Sequence, residues 1–411
     1  MPSFTTLTYL VLMFIALYFF FFYIVLIIRN KHRIFYYPKY KKLFSLTILI
    51  PAHNEEKTIQ GTIEAIFNTD YPGLKEVIVI NDGSTDNTLK MIKEIMGKYE
   101  NLKLINKKNT GKADSLNQGI KIATGELIGV VDADSYPYPD AIRKIIGFFN
   151  DEKMGAVTST VFVRNKDTFL SKIQAIEYAI LAWTRKILSF VDAVYVTNGP
   201  LSIYRKSALI EVGGFDRNTV TEDIDVTWNM LRHGYHTNMC LDSFVTTSVP
   251  LKVKDWWRQR ERWGIGGIQA LIKYRKSFLK HGMLGMFIIP FVSITIVLSM
   301  FVFLFSIYII LKKIMLFFFS TQYSLLAKTY IFNTKDMNLH PSILIFFMLV
   351  LFITAFVYSR YILIILGKKK GEWEDLRNIF KRMFYLLVYL TIYPLVWFSS
   401  IYRLIKKDFR W

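Results

Sequence analysis

The sequence predicts an α/β domain with a mostly parallel sheet, joined to a set of α-helical transmembrane segments. Between about residues 44 and 250, short apolar runs alternate with segments of helical spacing, which is typical of a parallel sheet covered by helices. Long apolar segments without charged side chains flank this region on both sides. The chain of 411 residues is also 52% hydrophobic, so part of it is expected to lie in lipid.

The charge of the chain indicates the same environment. A formal net charge of +20 could serve a nucleic acid, an anionic membrane surface or an anionic substrate. The densest groups of Lys and Arg lie beside the long apolar segments, where membrane proteins carry their cytoplasmic charges, so nucleic acid is not an expected partner. The single cysteine, Cys240, excludes an internal disulfide and fits a reducing compartment; we interpret it as a small buried hydrophobic residue.

Residues 1–28 are predicted to form an amino-terminal transmembrane anchor. They contain no charged side chain and are numerous enough to cross a hydrocarbon core. Basic residues follow at once, from Arg29 to Lys42, which predicts that the amino terminus is outside and that the next segment is cytoplasmic. A cleaved signal peptide would need a basic region before the apolar one and a small-residue cleavage site, and neither is visible.

Residues 29–250 are predicted to form the cytoplasmic α/β domain. Four apolar runs are expected to be strands, at residues 45–50, 76–80, 102–105 and 127–131. Three segments with helical spacing lie between them, at residues 55–68, 86–98 and 113–123. Ligands of such sheets bind at the carboxyl ends of the strands, and polar residues follow the first, second and fourth strands. These three strand ends are expected to converge on one crevice.

The fourth predicted strand ends in two carboxylates, Asp132 and Asp134. If the extended geometry continues, residues two apart project from the same side of the chain. Hard oxygen ligands placed in this way suit Mg²⁺ or Mn²⁺, and such ions hold substrate phosphates. The pair therefore predicts a site for a metal-bound diphosphate, and an Asp-rich turn that caps the next helix is the alternative.

The other strand ends are assigned to the donor, on the hypothesis that a nucleoside diphosphate sugar occupies the crevice. Asp82, after the second strand, would face the base and ribose. The turn after the first strand would contribute to the same surface through Pro51, Ala52 and Glu55. Lys112 could approach the phosphates, with a solvated lysine at a helix start as the alternative. A divalent ion would neutralise the charge that gathers on the departing diphosphate.

The attacking sugar hydroxyl needs a base on a different loop from the metal pair, because a carboxylate bound to a cation is a poor proton acceptor. Asp223 is the candidate, and a single displacement with this one base inverts the anomeric centre. The alternative is that Glu222 and Asp223 only favour the positive end of a helix that Thr221 could cap.

Residues 251–282 are predicted to form an interfacial region rich in basic and aromatic residues. In this region Arg262 can clamp a phosphate with its planar fork, and Trp263 offers a flat apolar face for a sugar ring. Contact with anionic lipid headgroups is the alternative. The earlier segment 168–190 is apolar but broken by charges, which predicts a helix packed on the domain or lying at the bilayer interface.

Residues 283–411 are predicted to contain the carboxyl-terminal transmembrane helices. Three spans are expected, at residues 283–311, 341–366 and 383–402, while the apolar segment 314–327 is short for a full crossing. Four spans in all would put the carboxyl terminus outside, whereas the basic tail from Arg403 to Arg410 favours the inside. Either one of the later segments is re-entrant or the tail is an exception to a statistical rule.

Taken together and in this order, the motifs from residue 47 to residue 269 resemble the membrane-embedded processive family 2 glycosyltransferases. This family includes the cellulose, chitin, hyaluronan and poly-β-1,6-N-acetylglucosamine synthases. The resemblance implies a GT-A catalytic domain, which is Rossmann-like with a mostly parallel sheet. It also implies that Asp82 binds the nucleotide, and that Asp132 with Asp134 holds the nucleotide sugar and its metal.

The same resemblance assigns the acceptor side. It makes Asp223 of Thr-Glu-Asp the base, and it identifies Gln259, Arg262 and Trp263 as the Gln-x-x-Arg-Trp motif of chain-extending members, at the acceptor and diphosphate. Residues 81–88, the Thr-Glu-Asp form, the single amino-terminal span and the length are most similar to the poly-N-acetylglucosamine synthases. Residues 197–205 are nearer to the hyaluronan and chitin type.

The resulting hypothesis is an inverting, metal-dependent hexosyltransferase that uses cytoplasmic UDP-sugar, with UDP-N-acetylglucosamine as the expected donor, to extend a β-linked polysaccharide and pass it across the cell membrane. It would be a multi-pass protein with a cytoplasmic catalytic domain, and a small accessory membrane subunit could join it. A single-addition transferase with a lipid-linked acceptor is one alternative. A scaffold or transport subunit with a degenerate transferase domain is another, but it would lack a base or a metal ligand, and both are present.

Overall fold

The computed structural model describes residues 4–326, 343–370 and 378–407. The strands are β1 (Leu46–Ala52), β2 (Leu74–Asp82), β3 (Leu102–Lys107), β4 (Leu127–Val130), β5 (Ser135–Pro137), β6 (Met154–Val163), β7 (Ser202–Arg205) and β8 (His236–Thr247). The helices of the α/β domain are α2 (Ile59–Phe67), α3 (Thr88–Met96), α4 (Lys112–Ile122), α5 (Ala141–Ile146), α6 (Phe169–Ser189), α7 (Lys206–Glu211) and α8 (Glu222–Arg232). The helices at the two ends of the chain are α1 (Phe4–Asn30), α9 (Val253–Tyr274), α10 (Ile289–Leu326), α11 (Ile343–Lys370), α12 (Ile379–Phe384) and α13 (Leu390–Lys406).

The eight described strands form one sheet in the order β3-β2-β1-β4-β7-β6-β8-β5. The four predicted strands make up the first half, and the pairings among these four are all parallel. The second half is mixed, because β7 runs antiparallel to β4 and β6, and β5 runs antiparallel to β8. Since β6 and β8 pair in parallel, four of the seven pairings of the described strands are parallel, and the predicted mostly parallel sheet is confirmed; each antiparallel pairing involves β5 or β7.

Alternate residues of the parallel strands face two separate cores. Ile48 of β1 and Val79 of β2 belong to one buried cluster, while Leu49 and Ile78 belong to the other. Such strands are apolar on both faces and therefore form continuous apolar runs. This arrangement confirms the predicted sheet with helices on both sides.

The carboxyl ends of the parallel strands meet at one edge of the sheet. Ala52 at the end of β1 pairs with Asn81 of β2, and Asp82 pairs with Lys107 of β3. The strand β4 ends at Val130, so the two aspartates begin the connection that leads to β5. The three strand ends therefore lie side by side, as the sequence predicted.

Four helical stretches of the described chain are long and apolar enough to cross a membrane: Thr6–Arg33, Leu284–Tyr323, Leu349–Gly367 and Ile379–Lys406. The segment 314–327 is not separate as predicted, because α10 continues through Lys312 and Lys313 to Leu326. At 1.5 Å per residue, 38 residues extend about 57 Å, which exceeds a hydrocarbon core of about 30 Å. Residues 1–3, 341 and 342 of the predicted spans, residue 327 of the short apolar segment and Arg410 of the basic tail lie outside the described residues.

Buried polar contacts join the α/β domain to the carboxyl-terminal helices. Glu177 of α6 accepts hydrogen bonds from Arg260 of α9 and from the hydroxyls of Tyr389 and Tyr393. The Arg260 and Glu177 side chains are almost fully buried. Since a buried charge needs a partner, this network fixes α6 and α9 against the last transmembrane stretch.

Two glycines let α9 approach its neighbours closely. A Cβ atom at Gly266 would lie 1.9 Å from the hydroxyl oxygen of Thr221, just before α8. A Cβ atom at Gly264 would lie 2.4 Å from the hydroxyl oxygen of Ser400 in α13. The helix that carries Gln259, Arg262 and Trp263 is therefore packed between the start of α8 and a transmembrane helix.

Candidate active site

Asp132 and Glu222 are joined by a shared lysine at the centre of the crevice. The ammonium group of Lys112 lies 2.7 Å from an oxygen of Asp132 and 2.8 Å from an oxygen of Glu222. Burial would lower the pKa of Lys112, but the charges of these two carboxylates raise it well above its ordinary value. Lys112 is thus held as a cation at the point predicted for the phosphates, and it bridges the end of β4 to the first turn of α8.

Asp134 lies in the turn that follows, and its carboxylate accepts hydrogen bonds from the hydroxyls of Ser135 at 3.0 Å and Thr247 at 3.1 Å. The extended geometry expected here does not continue, because the strand ends at Val130 and residues 133 and 134 form a turn. Burial and the neighbouring charge of Asp132 raise the pKa of Asp134. The two carboxylates are therefore close enough to repel each other despite the turn.

The metal prediction fits this pair of carboxylates. Two like charges that repel each other are stabilised by a cation between them, and carboxylate oxygens are the ligands that Mg²⁺ and Mn²⁺ prefer. Among the described residues, no group of three or more His, Cys, Asp or Glu side chains is arranged to hold a metal ion. Asp132 and Asp134 would accordingly share the ion with phosphate oxygens and water, as is usual for Mg²⁺.

Gly199 was not predicted as a site residue, yet its backbone touches the predicted diphosphate site. A Cβ atom there would lie 2.4 Å from one carboxylate oxygen of Asp132 and 2.8 Å from the ammonium nitrogen of Lys112. The carbonyl of Gly199 also accepts a hydrogen bond of 3.2 Å from the N–H of Asp132. Only a residue without a side chain allows this approach.

The loop that contains Gly199 also fixes the proposed base. The N–H of Thr197 donates to the hydroxyl of Thr227 at 3.0 Å, and the two hydroxyls are 2.7 Å apart. The Thr227 hydroxyl in turn donates to the carbonyl of Asp223 at 2.6 Å. One short loop therefore connects the end of β4 with the start of α8, and this brings Asp223 and Asp132 into one site.

Asp223 has the electrostatic environment of a general base. Among the described residues it forms no ion pair, and its carboxylate accepts a hydrogen bond only from the N–H of Ile224, at 2.9 Å. Burial, together with the charge of Glu222, raises the pKa of Asp223 to about 6, while Lys112 and Arg262 oppose the rise. A base with a pKa near the working pH is both available and effective.

Glu222 and Asp223 lie in the first turn of α8, as the helix-start alternative requires, but the Thr221 cap suggested with it is not formed. Thr221 does occupy the residue before α8, but its side chain makes no capping hydrogen bond. Its hydroxyl oxygen is buried without a hydrogen-bond partner in the described chain. Burial opposes ionisation of Glu222, but the charge and hydrogen bond of Lys112 lower the pKa of that carboxyl below its ordinary value.

Asp82 lies at the edge of the crevice and is only 4% exposed. Its carboxylate accepts hydrogen bonds from Lys107 and, at 2.9 Å each, from the N–H groups of Thr110 and Gly111. These contacts fix the loop that leads into Lys112 at the start of α4. Direct contact between Asp82 and a nucleotide stays a prediction.

The turn after β1 lies beside the metal pair. Ala52 is buried, and the Glu55 carboxylate accepts a hydrogen bond of 2.7 Å from the Thr58 hydroxyl. Burial raises the pKa of Glu55, Thr58 opposes this rise, and the charges of Asp134 and Asp132 add to it. Glu55 is therefore within electrostatic reach of both aspartates, whereas Pro51 and Ala52 contribute through their position at the strand end.

The three residues of the Gln-x-x-Arg-Trp pattern lie on α9, with Arg260 between them. The guanidinium of Arg260 lies 4.1 Å from the ring centroid of Trp263, and it donates to the side-chain oxygen of Gln259 at 2.5 Å. Tyr178 of α6 contacts the same indole at a centroid distance of 6.4 Å. Arg262 is exposed, and its charge lowers the pKa values of both Glu222 and Asp223. One face of Trp263 is thus covered by a paired arginine, and Arg262 lies near enough to Glu222 and Asp223 for its charge to act on both.

Sequence reasoning missed four residues that build this site: Glu222 as a partner of Lys112, Gly199, Arg260 and Glu177. Glu222 and Arg260 stand directly beside predicted residues, which was a usable signal. Gly199 and Glu177 act through contacts between segments far apart in the chain, and no local pattern marks them.

Comparison with known proteins shows which family has a sequence like that of this domain. A profile of the family described as "Glycosyltransferase like family 2" matches residues 45–266. The poly-beta-1,6-N-acetyl-D-glucosamine synthase of Staphylococcus epidermidis is 35% identical over 259 residues, which are 62% of this chain and 62% of that protein. The protein of the same name from Staphylococcus aureus (strain COL) is 34% identical over 263 residues, 64% of each chain. The match therefore spans less than two thirds of the length of these curated relatives.

Among solved structures, a mannosyltransferase from Pyrobaculum calidifontis, in complex with GDP-Man and Mn²⁺, is similar in fold. The TM-score is 0.50 at 23% sequence identity, and the similarity covers 64% of this chain and 76% of that chain. At this identity the likeness concerns the fold of the domain alone.

Proposed function

The chain belongs to glycosyltransferase family 2, and we propose that it is an inverting, metal-dependent synthase that extends a β-linked polysaccharide from UDP-N-acetylglucosamine. The observation that carries this proposal is the convergence of Asp132, Lys112 and Asp223 at one point. The helix with Arg262 and Trp263 lies directly beside them. The curated relatives, which are named as N-acetylglucosamine polymer synthases, support the choice of sugar and of polymer.

The donor would lie across the carboxyl ends of β1, β2 and β4. Asp132 and Asp134 would hold Mg²⁺ or Mn²⁺, which supplies Lewis-acid stabilisation of the diphosphate charge when it is bound. Lys112 adds a fixed positive charge at the same point, and Arg262 can add a second from α9. Negative charge that develops on the leaving UDP is therefore stabilised by side chains already in place.

Asp223 would accept the proton of the attacking acceptor hydroxyl. The hydroxyl oxygen forms a bond to the anomeric carbon as the bond from that carbon to the phosphate oxygen breaks, and the bonding electrons leave with UDP. A single in-line displacement of this kind converts an α-linked donor into a β-linked product. Lys112 and Glu222 keep Asp223 and the diphosphate site at a fixed separation, which holds the reactants in a productive geometry.

The proposed topology follows from the same arrangement. The α/β domain would be cytoplasmic, since basic residues follow the first apolar helix, and the protein would be a multi-pass cell membrane protein. The close packing of α9 against α13 would deliver the growing chain to the transmembrane helices. A small accessory membrane subunit stays a prediction.

The test uses the purified protein in detergent with radiolabelled UDP-N-acetylglucosamine, UDP-glucose and UDP-glucuronic acid. Each donor is supplied with Mn²⁺, with Mg²⁺ or with EDTA. We expect polymer to form from UDP-N-acetylglucosamine with release of UDP when Mn²⁺ or Mg²⁺ is present. EDTA should abolish both products. Products that carry a single added sugar, or a labelled lipid as the only product, would contradict the polymerase assignment.

Trp263→Ala provides a sharper test of the acceptor platform, with Trp257→Ala on the same helix as the matched control. Both indoles pack partly buried against the same core cluster. We expect Trp263→Ala to shorten or abolish the polymer before it weakens UDP binding, and Trp257→Ala to leave the product length nearer to wild type. An unchanged length distribution in Trp263→Ala would contradict the platform.

A further inference from the structure

Arg185 of α6 is a buried cation without a carboxylate partner in the described chain. It is 6% exposed. Its Nε donates to the carbonyl of Leu181 at 3.3 Å, and Nη1 donates to the side-chain oxygen of Asn198. The remaining nitrogen, Nη2, has no hydrogen-bond partner among the described residues. A guanidinium carries five N–H donors, and a buried charge without compensation is costly, so this residue is expected to have a ligand.

Asn198 adds a second unpartnered donor at the same place. Its side-chain oxygen accepts hydrogen bonds from Arg185 and, at 2.7 Å, from the hydroxyl of Thr158. Two donors on this oxygen fix the orientation of the amide. The amide nitrogen, Nδ2, is buried and has no hydrogen-bond partner in the described chain. Two adjacent N–H donors, one charged and one neutral, therefore lack an acceptor.

These donors lie on the acceptor side of the site. Arg185 is seven residues after Tyr178, so both project from one face of α6, and Tyr178 contacts Trp263. Asn198 directly precedes Gly199, whose Cα faces the carboxylate of Asp132. The pair therefore has neighbours that contact Trp263 on one side and Asp132 on the other.

The proximity of Arg185 to the proposed base supports the same placement. Burial lowers the pKa of Arg185, and Tyr195 and Asp223 lie near enough to oppose that shift. The diphosphate already has Lys112 and the metal pair on the other side of the loop. Arg185 is therefore free to serve a group on the sugar that Asp223 deprotonates.

We propose that Arg185 and Asn198 form a subsite for the acetamido carbonyl of the terminal acceptor sugar, an inference that rests on the proposed function. A carbonyl oxygen has two lone pairs and accepts one hydrogen bond from each donor. A sugar without the acetyl group presents an amine, which when protonated places a positive charge beside the buried guanidinium. The subsite therefore selects an N-acetylated acceptor end against a de-N-acetylated one.

The test compares two primers in the full-length protein in detergent, with saturating UDP-N-acetylglucosamine and Mn²⁺. One primer is a β-1,6-linked N-acetylglucosamine oligosaccharide, and the other lacks the acetyl group on its non-reducing terminal residue. We expect wild-type protein to prefer the acetylated primer by roughly 10²-fold or more in kcat/KM, because a site built to hydrogen-bond a group rejects the analogue without it. Arg185→Gln is expected to reduce this preference to less than about tenfold through KM for the acetylated primer, with KM for the donor unchanged.

Two further variants separate a ligand contact from a loss of structure. Asn198→Ser keeps a hydroxyl acceptor for Arg185 but removes the amide donor, so it should lower the preference while thermal unfolding in the same detergent stays close to wild type. Lys172→Gln, on the same helix, is the matched control and should change neither. Arg185→Lys should still reject the amine while binding the acetylated primer less tightly, because the planar fork is lost.

Each outcome decides between two claims. Wild-type extension with an unchanged preference in Arg185→Gln and Asn198→Ser overturns the subsite alone. An equal loss of affinity for UDP in these variants also overturns it, because the pair would then bind the diphosphate. A wild-type protein that extends neither primer contradicts the proposed function, and the subsite falls with it.

Discussion

The donor half of the site, at the ends of the parallel strands, and the acceptor half, around Asp223 and Arg185, differ in whether their charged groups already have partners. At the ends of β2 and β3, Asp82 is satisfied by Lys107 and two backbone N–H groups. In the first turn of α4, Asp114 pairs with Arg217 at 2.7 Å. On the acceptor side, the half-buried Asp223 and the buried Arg185 have no ion-pair partner in the described chain. The part of the donor half around Asp82 is therefore already satisfied by protein groups, whereas the acceptor half keeps charged groups free for a ligand.

This difference explains why the acceptor half needs support from the membrane helices. Groups without partners reduce stability, and that cost must be offset elsewhere. The buried pair of Glu177 and Arg260, with the hydroxyls of Tyr389 and Tyr393, joins α6, the helix that also carries Arg185, to α9. The acceptor half is thus held by long-range contacts, and the donor half by contacts within the sheet.

The largest expected effect comes from breaking this support. Glu177→Gln leaves the Arg260 guanidinium buried without a counter-charge, and we expect it to lower the free energy of unfolding by about 3 kcal/mol or more. Unfolding by SDS titration in mixed micelles measures the change. Asp70→Asn is the control, because its pair with Arg143 is exposed by 42% and 49% and should contribute about 1 kcal/mol or less. Equal free energies of unfolding for the two variants would contradict the proposal that the Glu177–Arg260 pair stabilises the acceptor half.

Asp223→Asn tests whether the free carboxylate of the acceptor half acts as the base. We expect turnover to fall by about 10²-fold or more, the scale of a lost general base, while binding of UDP with Mn²⁺ is retained. Asp132→Asn is the contrasting variant and should weaken that binding directly. Turnover close to wild type in Asp223→Asn would assign the proton transfer to another group.

Gly199→Ala tests how tightly the connecting loop is fitted to the donor half. Its Cβ would lie 2.4 Å from an Asp132 oxygen, so either the loop or the carboxylate must move. We expect Mn²⁺-dependent binding of UDP, measured by calorimetry, to weaken about tenfold, because mutations of groups that orient metal ligands have effects of about this size. Gly97→Ala is the control, because no atom lies within 4 Å of its added Cβ. Wild-type affinity in Gly199→Ala would show that the loop adapts freely.

The pH profile gives the smallest expected effect. Asp223 can accept a proton only when it is ionised, and its pKa is raised to about 6, so activity should be lost as the pH falls through this value. We expect kcat/KM at about pH 5.5 to be about fourfold lower than at about pH 7. A profile that stays flat down to about pH 5 would contradict the raised pKa of the base.

The donor half could be predicted from the sequence because its signals are local. Continuous apolar runs mark β1 to β4. Asp82 ends β2, Asp132 follows β4, and Lys112 begins the helix after β3. The family resemblance then supported the roles already suggested for Asp223 and Trp263. Metal binding and the individual roles of these residues remain predictions that only ligand experiments test.

The strands of the second half escaped prediction for a physical reason. In β6, Ser159 and Thr160 are fully buried, although polar residues usually mark surfaces. Their hydroxyls donate to the carbonyls of Leu201 at 3.0 Å and Leu241 at 2.8 Å, which are contacts to distant segments. Such satisfied polar residues interrupt the apolar run that identifies a buried strand.

The acceptor-side residues were also missed because their partners lie in distant segments of the chain. Arg185 lies in a helix whose charges suggested a segment packed on the domain or lying at the bilayer interface. Its proposed role depends on its contact with Asn198, which is distant in the sequence. At the membrane, Lys312 and Lys313 suggested a break, yet α10 continues through them, since lysine is a good helix former. Local composition therefore identified the elements, while the contacts between elements determined the site.

The most direct test of this account is the product ladder that the purified protein makes from UDP-N-acetylglucosamine and an oligosaccharide primer, read by mass spectrometry together with the UDP released. The account predicts a series of products that differ by one N-acetylglucosamine unit, with one UDP released for each unit added. UDP release without primer extension, or a ladder that stops after one addition, would contradict the claim that the two halves form one polymerising site.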